Sequence, residues 1–514
     1  MTRQPNILFI QVDQMTAASL RAYGNRFCHA PHLDRLAESG AVFENAYCNF
    51  PLCSPSRFSM AAGQLCSRIG AYDNAAEMPA SVPTYAHFLR RLGYQTAISG
   101  KMHFIGPDQY HGFETRLTPD LYPADFSWVP NWGDEGKRDT NDPRSVLISG
   151  VCERSVQIDF DEQVTHQAVQ HLYDVARADD ERPFFLQVSY THPHEPYLCR
   201  QEFWDLYRDA DIGLPRVGAM PAERHDAHSA RLLADFGMLD YAFKDEDILR
   251  SRRAYYGSVS YIDQLIGQVL AALESIGAQH NTAILFTSDH GDMIGERGMW
   301  FKKHFFEPSL RVPLFLTAPW ISPQRVRELV SLVDILPTLA GLGTERDELD
   351  APEPLDGIDL STLLDRGDPP PERTVRAEYL AEATTAPIFM IRRGRFKYIS
   401  SVNAPSCCST LRTTRMNSRM WRKTRPSPTP SQRSRRKSKP PGTMTRSPGT
   451  SSPASGGGAS FSRRRDKASQ SAGTMARHRR NPCPGIGVPG ATANGPSNTC
   501  RRRRLKAFHD RLRS

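Results

Sequence analysis

Nowhere in the 514 residues do about 20 apolar residues run together, so no segment is suited to crossing a bilayer as a helix. The N-terminus MTRQPNILFIQVDQ lacks the zones of a secretory leader and runs directly into a strand-like segment. Membrane insertion and secretion are therefore not expected, and a cytoplasmic location is. Ten cysteines occur, but the first 400 residues contain no Cys-x-x-Cys pair and no repeated cysteine spacing. That argues against a zinc-binding cysteine cluster and against a disulfide framework, leaving free thiols in a reducing compartment.

Charge of one sign is missing where the other is abundant. Residues 401–514 hold 26 Lys plus Arg and two acids, Asp466 and Asp510, a net of +24. The first 400 residues hold the remaining 39 basic and 54 acidic residues, a net of −15. The overall +9 thus joins an acidic body to a basic tail. Branched aliphatics are also scarce in that tail: between residues 404 and 500 they are Leu411, Ile486 and Val488. Such a stretch cannot assemble a core to offset its ordering entropy, so residues 403–514 are expected to be disordered. Their Ser/Pro/Arg-rich composition resembles translation in a wrong reading frame, with a genuine basic tail as the alternative. Polybasic disorder can bind any polyanion through counterion release, which makes an inactive polyanion-binding protein a competing reading. Trp421, Phe461 and Phe508 are its sole aromatics, too few for a specific nucleic-acid reader.

What is present in the body is an alternation of apolar runs and amphipathic stretches, the pattern of a layered α/β domain with a mostly parallel sheet flanked by helices. Asn6–Val12 ends in Asp13, residues 184–190 end at Thr191 and His192, and Thr282–Ser288 ends in Asp289 and His290. In open α/β sheets ligands bind beyond the carboxyl ends of the strands, so these runs predict a shared polar centre. Helices are predicted over residues 30–39, 82–92, 161–177 and 251–276. The catalytic α/β domain is assigned to residues 1–365. After the linker RGDPPPE, residues 373–402 open a small C-terminal α+β subdomain, truncated here, with a hairpin over 388–391 and 395–400.

Asp13, Asp289 and His290 are candidate metal ligands. Two carboxylates make a mostly oxygen shell that suits a hard cation, Ca2+ ahead of Zn2+, with Mg2+ and Mn2+ as alternatives. The segment Asp289-His290-Gly291-Asp292 also reads as a capped turn after a strand. Cationic candidates follow strands or occupy Pro/Gly-rich loops: Lys101 and His103 in GKMHF, His192 and His194 in THPHEPY, and Lys302 in WFKKH. Together these residues can offer fixed positive charge, a proton donor and a base to an anionic ligand.

Cys53-Ser54-Pro55-Ser56-Arg57 fits a C-x-P-x-R pattern. Read alone it could be a buried thiol before a Pro-initiated helix. Together with Asp13-Gln14 and Asp289-His290, it is similar to the formylglycine-dependent sulfatases of the alkaline phosphatase superfamily, over about residues 5–400. The runs GKMHFIGPDQYHGFE at 100–114 and YPADFSWVPNW at 122–132 resemble the choline sulfatase branch. The resemblance implies an alkaline-phosphatase-like sandwich and hydrolysis of choline sulfate to choline and sulfate, a supply of choline for glycine betaine synthesis. It further implies that Cys53 is oxidised to formylglycine (3-oxoalanine) by a formylglycine-generating enzyme and acts as a hydrated nucleophile. Asp13, Asp289 and His290 would bind the metal with residue 53. Arg57, Lys101 and Lys302 would bind sulfate, His103 would assist collapse of the hydrate, and His194 with Lys302 would serve the leaving oxygen.

A quaternary ammonium has no hydrogen to donate, so its recognition calls on aromatic faces and a carboxylate. Trp128 and Trp132 are candidates for the first, Glu378 and Glu382 for the second. A phosphonate monoester or phosphodiester hydrolase using the same centre is the nearest rival. The C-terminal part in this family completes the small domain, helps build a homo-oligomer and borders the pocket; the tail after residue 402 resembles none of it.

Overall fold

The run NILFIQV is apolar on both of its pleated faces, as a strand covered on both sides must be. In the computed structural model, which describes residues 4–122, 124–125, 141–344, 350–364, 372–402, 404–410 and 422–423, this run is the centre of an eight-stranded sheet. In chain order the strands of the body are β1 (Asn6–Val12), β2 (Ala41–Tyr47), β3 (Gln95–Gly100), β4 (Thr115–Arg116), β5 (Gly150–Val151), β6 (Phe184–Ser189), β7 (Leu198–Cys199), β8 (Thr282–Ser288), β9 (Leu314–Thr317) and β10 (Gln324–Ser331). The large sheet is ordered β10-β2-β9-β8-β1-β6-β3-β4, and β5 pairs with β7 apart from it. Within the large sheet β9 alone runs antiparallel to its neighbours.

Alternation along β1 sends Ile7 and Phe9 into one core, and Leu8, Ile10 and Val12 into another on the opposite face. The first core is closed by helices Cys53–Ala62, Tyr85–Arg91 and Ile335–Leu342; the second by Pro31–Glu38, Val156–Arg177 and Asp245–Ser275. The result is the predicted parallel sheet between helical layers. Two helices begin earlier than predicted. Ser155 caps the first by accepting the Ile158 N–H, and Asp245, Glu246 and Asp247 fill the first turn of the second, where the helix dipole favours acids.

A second sheet is antiparallel: β11 (Thr374–Tyr379), β12 (Ile388–Arg393), β13 (Phe396–Ser401), β14 (Ala404–Thr410) and β15 (Arg422–Lys423). β12 and β13 form the expected hairpin. β14 and β15 lie beyond residue 402, where the sequence changes character; the rest of 403–514 lies outside the described residues. Among the described residues no helix is long and apolar enough to cross a membrane. Cys28, Cys48, Cys53, Cys66, Cys152, Cys199 and Cys408 are free thiols.

Gly100 ends β3 with φ at +111°, and a Cβ there would lie 1.8 Å from the Ser189 carbonyl oxygen on β6. Gly100→Ala should therefore cost at least about 1–3 kcal/mol in backbone strain; an unchanged denaturant midpoint would refute this account. At the opposite core, the Asp263 carboxylate accepts the N–H groups of His32 and Leu33. Burial nevertheless pushes its carboxyl from 3.8 up to about 7. A folded-state pKa raised above the unfolded one favours folding fully below about 4, and that contribution is lost as pH rises through about 7. Asp263→Asn should accordingly gain in melting temperature relative to the parent between pH 5 and 8, in thermal scans across that range.

Candidate active site

Register places Val12 beside Ser288 and Gln11 beside Ser189, so the residues that follow β1, β6 and β8 emerge at one edge of the sheet. Asp13 and Asp289 are fully buried neighbours there, and like charges at such range require compensation. Arg57 supplies it from the second turn of helix Cys53–Ala62. Its Nη2 donates to Asp13 Oδ2 at 2.8 Å and its Nε to Asp289 Oδ2 at 2.9 Å. Its Nη1 donates to the Lys101 carbonyl at 2.6 Å and to Ser189 Oγ at 2.9 Å. Lys101 Nζ lies 2.6 Å from Asp13 Oδ2. Burial drives the Asp13 carboxyl up, but Lys101, His194 and Arg57 outweigh it and hold the group well below its usual range. In this geometry Arg57 bridges the two carboxylates and with Lys101 balances their charge, a pairing that spacing alone does not disclose.

Cys53 opens the same helix, with Sγ 3.2 Å from His290 Nε2 and 3.9 Å from Asp13 Oδ1. His290 Nδ1 lies 3.0 Å from the Gly291 carbonyl, which as acceptor fixes the proton on Nδ1 and turns the Nε2 lone pair inward. One donor atom from each of Asp13, Cys53, Asp289 and His290 lies within 4.8 Å of the others, all buried. The set fits a divalent metal.

Lys302 and His194 meet on the other side. Lys302 Nζ donates to Gln14 Oε1 at 2.7 Å and approaches His194 Nε2 at 2.6 Å, while His194 Nδ1 lies 2.7 Å from the Glu195 carbonyl. Burial lowers the Lys302 pKa, yet its neighbours Cys53, Glu195 and Asp13 raise it on balance, so the ammonium persists. His192 faces away from this group, its Nδ1 2.7 Å from Asp161 Oδ2. His103 stacks on Tyr122 at 4.6 Å, and the same ring lies 4.4 Å from Lys101 Nζ. Burial, with Lys101 nearby, pushes the His103 imidazole down to about 3, so it is neutral.

Other candidates fall elsewhere. Glu378 accepts the Ser67 N–H at 2.6 Å, directed at the short helix Cys66–Ile69. Glu382 lies 3.7 Å from Lys303 Nζ and accepts from Tyr379 Oη at 3.3 Å. Trp128 and Trp132 are outside the described residues. Three participants escape the sequence reading. Asp120 accepts the N–H groups of Met102 and His103, holding His103 at φ +62°; Tyr122 lies over Lys101 and His103; and Gln14 donates to both Glu195 and Asp292 at 2.6 Å. The last two sit inside segments already notable, YPADF and the Asp13-Gln14 pair, but no spacing rule foretells their contacts.

Metal-dependent ester hydrolases of the alkaline-phosphatase type carry such a charged centre at the carboxyl edge of a mostly parallel sheet, and fold and site together place the chain in that class. The sequence profile described as Sulfatase matches residues 5–344, and the chain belongs to the sulfatase family. It is 46% identical over 408 residues to a choline-sulfatase of Rhizobium meliloti (strain 1021), covering 77% of this chain and 78% of the relative. An arylsulfatase of Clostridium perfringens (strain 13 / Type A) is 30% identical over 391 residues, 70% of this chain and 79% of the relative. In fold, the chain resembles a phosphonate monoester hydrolase from Silicibacter pomeroyi, with a TM-score of 0.64 at 21% identity over 79% of this chain and 89% of that one.

Removing one partner of a buried ionic group leaves the others uncompensated, at a cost of about 3–5 kcal/mol. Arg57→Gln should lose that much stability in chelator, where Asp13 and Asp289 have no other divalent partner, and recover part of it when a divalent cation is added. Equal denaturant midpoints for variant and parent in chelator would contradict the bridging role.

Proposed function

We propose that the chain hydrolyses choline sulfate to choline and sulfate, with Cys53 first converted to formylglycine by a maturation enzyme. The observation that carries the reaction class is the placement of Cys53 Sγ at the start of a helix, against His290 and Asp13. The choice of choline is supported by the 46% identity to a choline-sulfatase.

Asp13, Asp289 and His290 would hold the metal with residue 53. A bound divalent ion lowers the pKa of a nearby hydroxyl and offsets developing negative charge. One hydroxyl of the hydrated aldehyde, its proton already released to solvent, would attack sulfur as the S–O bond to the alcohol breaks. Lys302, protonated and hydrogen-bonded to His194, would supply charge and a proton to the leaving oxygen. The neutral His103 would then take the proton of the second hydroxyl as the C–O bond to sulfate breaks, which would return the aldehyde for water to rehydrate. Lys101 and Arg57 keep positive charge beside the reacting group throughout. Glu382, with Trp128 and Trp132, remains our proposal for the ammonium end, and Ca2+ for the metal.

The test compares matured protein and Cys53→Ala on choline sulfate and on a phosphonate monoester, with mass analysis of the peptide carrying residue 53. Choline sulfate should be turned over with the higher kcat/KM, and Cys53→Ala should fall to background on both substrates. The active peptide should show a thiol side chain replaced by an aldehyde. Preference for the phosphonate removes choline from the reading; an unmodified Cys53 in active enzyme removes the nucleophile; no turnover by matured protein leaves an inactive chain.

A further inference from the structure

We propose that, before Cys53 is oxidised, Asp13, Cys53, Asp289 and His290 form a tetrahedral site for a thiophilic divalent cation of the Zn2+ class. Oxidation of residue 53 would then change the metal class of the site as well as its reactivity. The first statement stands on the donor geometry of the unmodified chain; the second rests on the reading of Cys53 given above.

The geometry is that of four inward donor atoms with their outer sides already engaged. Asp13 Oδ2 is paired with Arg57 and Lys101, and Asp289 Oδ2 with Arg57, leaving the Oδ1 atoms on the side of Cys53 and His290. Asp289 Oδ1 also accepts the backbone N–H of His290 at 2.8 Å and of Gln14 at 3.1 Å, which fixes its direction. Sγ to His290 Nε2 is 3.2 Å, Sγ to Asp13 Oδ1 is 3.9 Å, and His290 Nε2 is 3.8 Å from Oδ1 of each aspartate. With zinc bonds of about 2.3 Å to sulfur and about 2.0–2.2 Å to nitrogen and oxygen, the edges of a tetrahedron come to about 3.4–3.6 Å. These four separations bracket that range, and all four donors lie within 4.8 Å of one another, so contraction of the cluster around an ion closes the site.

Donor chemistry points the same way. A thiolate and an imidazole are soft and borderline ligands that favour zinc-class ions, whereas Ca2+ seeks six to eight oxygens. The unmodified set offers two carboxylates and no hydroxyl from residue 53. Thiolate and two carboxylates would carry three negative charges in a fully buried site, against which Arg57 and Lys101 supply two positive ones. That leaves a net charge of −1, which a dication more than offsets. After oxidation the sulfur is gone, hydroxyl oxygens take its place, and the preference passes to a hard ion.

Full-length protein made without formylglycine-generating activity, its Cys53 confirmed as a thiol and its metal stripped, should be titrated with Co2+. One equivalent should produce a near-ultraviolet thiolate-to-cobalt charge-transfer band and intense tetrahedral visible bands. One equivalent of Zn2+ should abolish both, while Ca2+ in about hundredfold excess should leave them, following the ligand preferences above. Zn2+ should also slow alkylation of Cys53, read on its own peptide, by at least about tenfold. Cys53→Ser should lose the charge-transfer band; if that variant does not fold, the alkylation result on the parent decides. Absence of the band in folded protein, its survival in folded Cys53→Ser, displacement by Ca2+, or unprotected Cys53 each overturns the proposal. Turnover by matured protein is measured separately, so a cobalt band without turnover defeats the sulfatase reading alone, and turnover without a band defeats the zinc proposal alone.

Discussion

One guanidinium holds the centre of this molecule together. Arg57 binds a carboxylate from the end of β1 and another from the end of β8, and through Ser189 Oγ and the Lys101 carbonyl it also reaches β6 and β3. Four adjacent parallel strands thus converge on one planar fork, whose fixed geometry a lysine could not reproduce. The parallel register sets Asp13 beside Asp289, and their repulsion is tolerable because Arg57 and Lys101 share it. Cys53 is positioned as a consequence: the helix that delivers Arg57 begins with it, so tethering the guanidinium fixes the thiol against His290.

Much of this was readable without coordinates, and the reasons are local. An apolar run of seven residues followed at once by Asp13, or by Asp289 and His290, states both a buried parallel strand and a polar carboxyl end. Helix starts are harder to read, since those at Val156 and Asp245 depend on capping and dipole effects as well as on apolar spacing. Pair partners were not readable. Arg57 looks like an anion ligand in sequence and is found bound to carboxylates; Glu378 looks available and is directed at Ser67 N–H. Such pairings depend on contacts across 232 and 311 residues of chain, for which periodicity holds no information.

The second network shows what an amide does where a carboxylate would repel. Gln14, at φ +65°, anchors its backbone N–H on Asp289 Oδ1 and extends its side chain between Lys302, Glu195 and Asp292. Its oxygen accepts from the lysine and its nitrogen donates to both acids, so one neutral group satisfies partners of opposite sign. Burial and the nearby Glu195 charge push the Asp292 carboxyl up to about 6, whereas burial of Glu195 is outweighed by His194 and Lys302, which hold it at about 2. A third acid at position 14 would add like charge where Asp292 is already under strain. It would also form a direct ion pair with Lys302, reducing the positive charge that ammonium presents toward Cys53. The amide instead holds Lys302 by a hydrogen bond that leaves its formal charge uncancelled. The two networks therefore divide the labour: Arg57 and Lys101 balance the paired carboxylates beside Cys53, and the Gln14-held lysine keeps a further cation facing it.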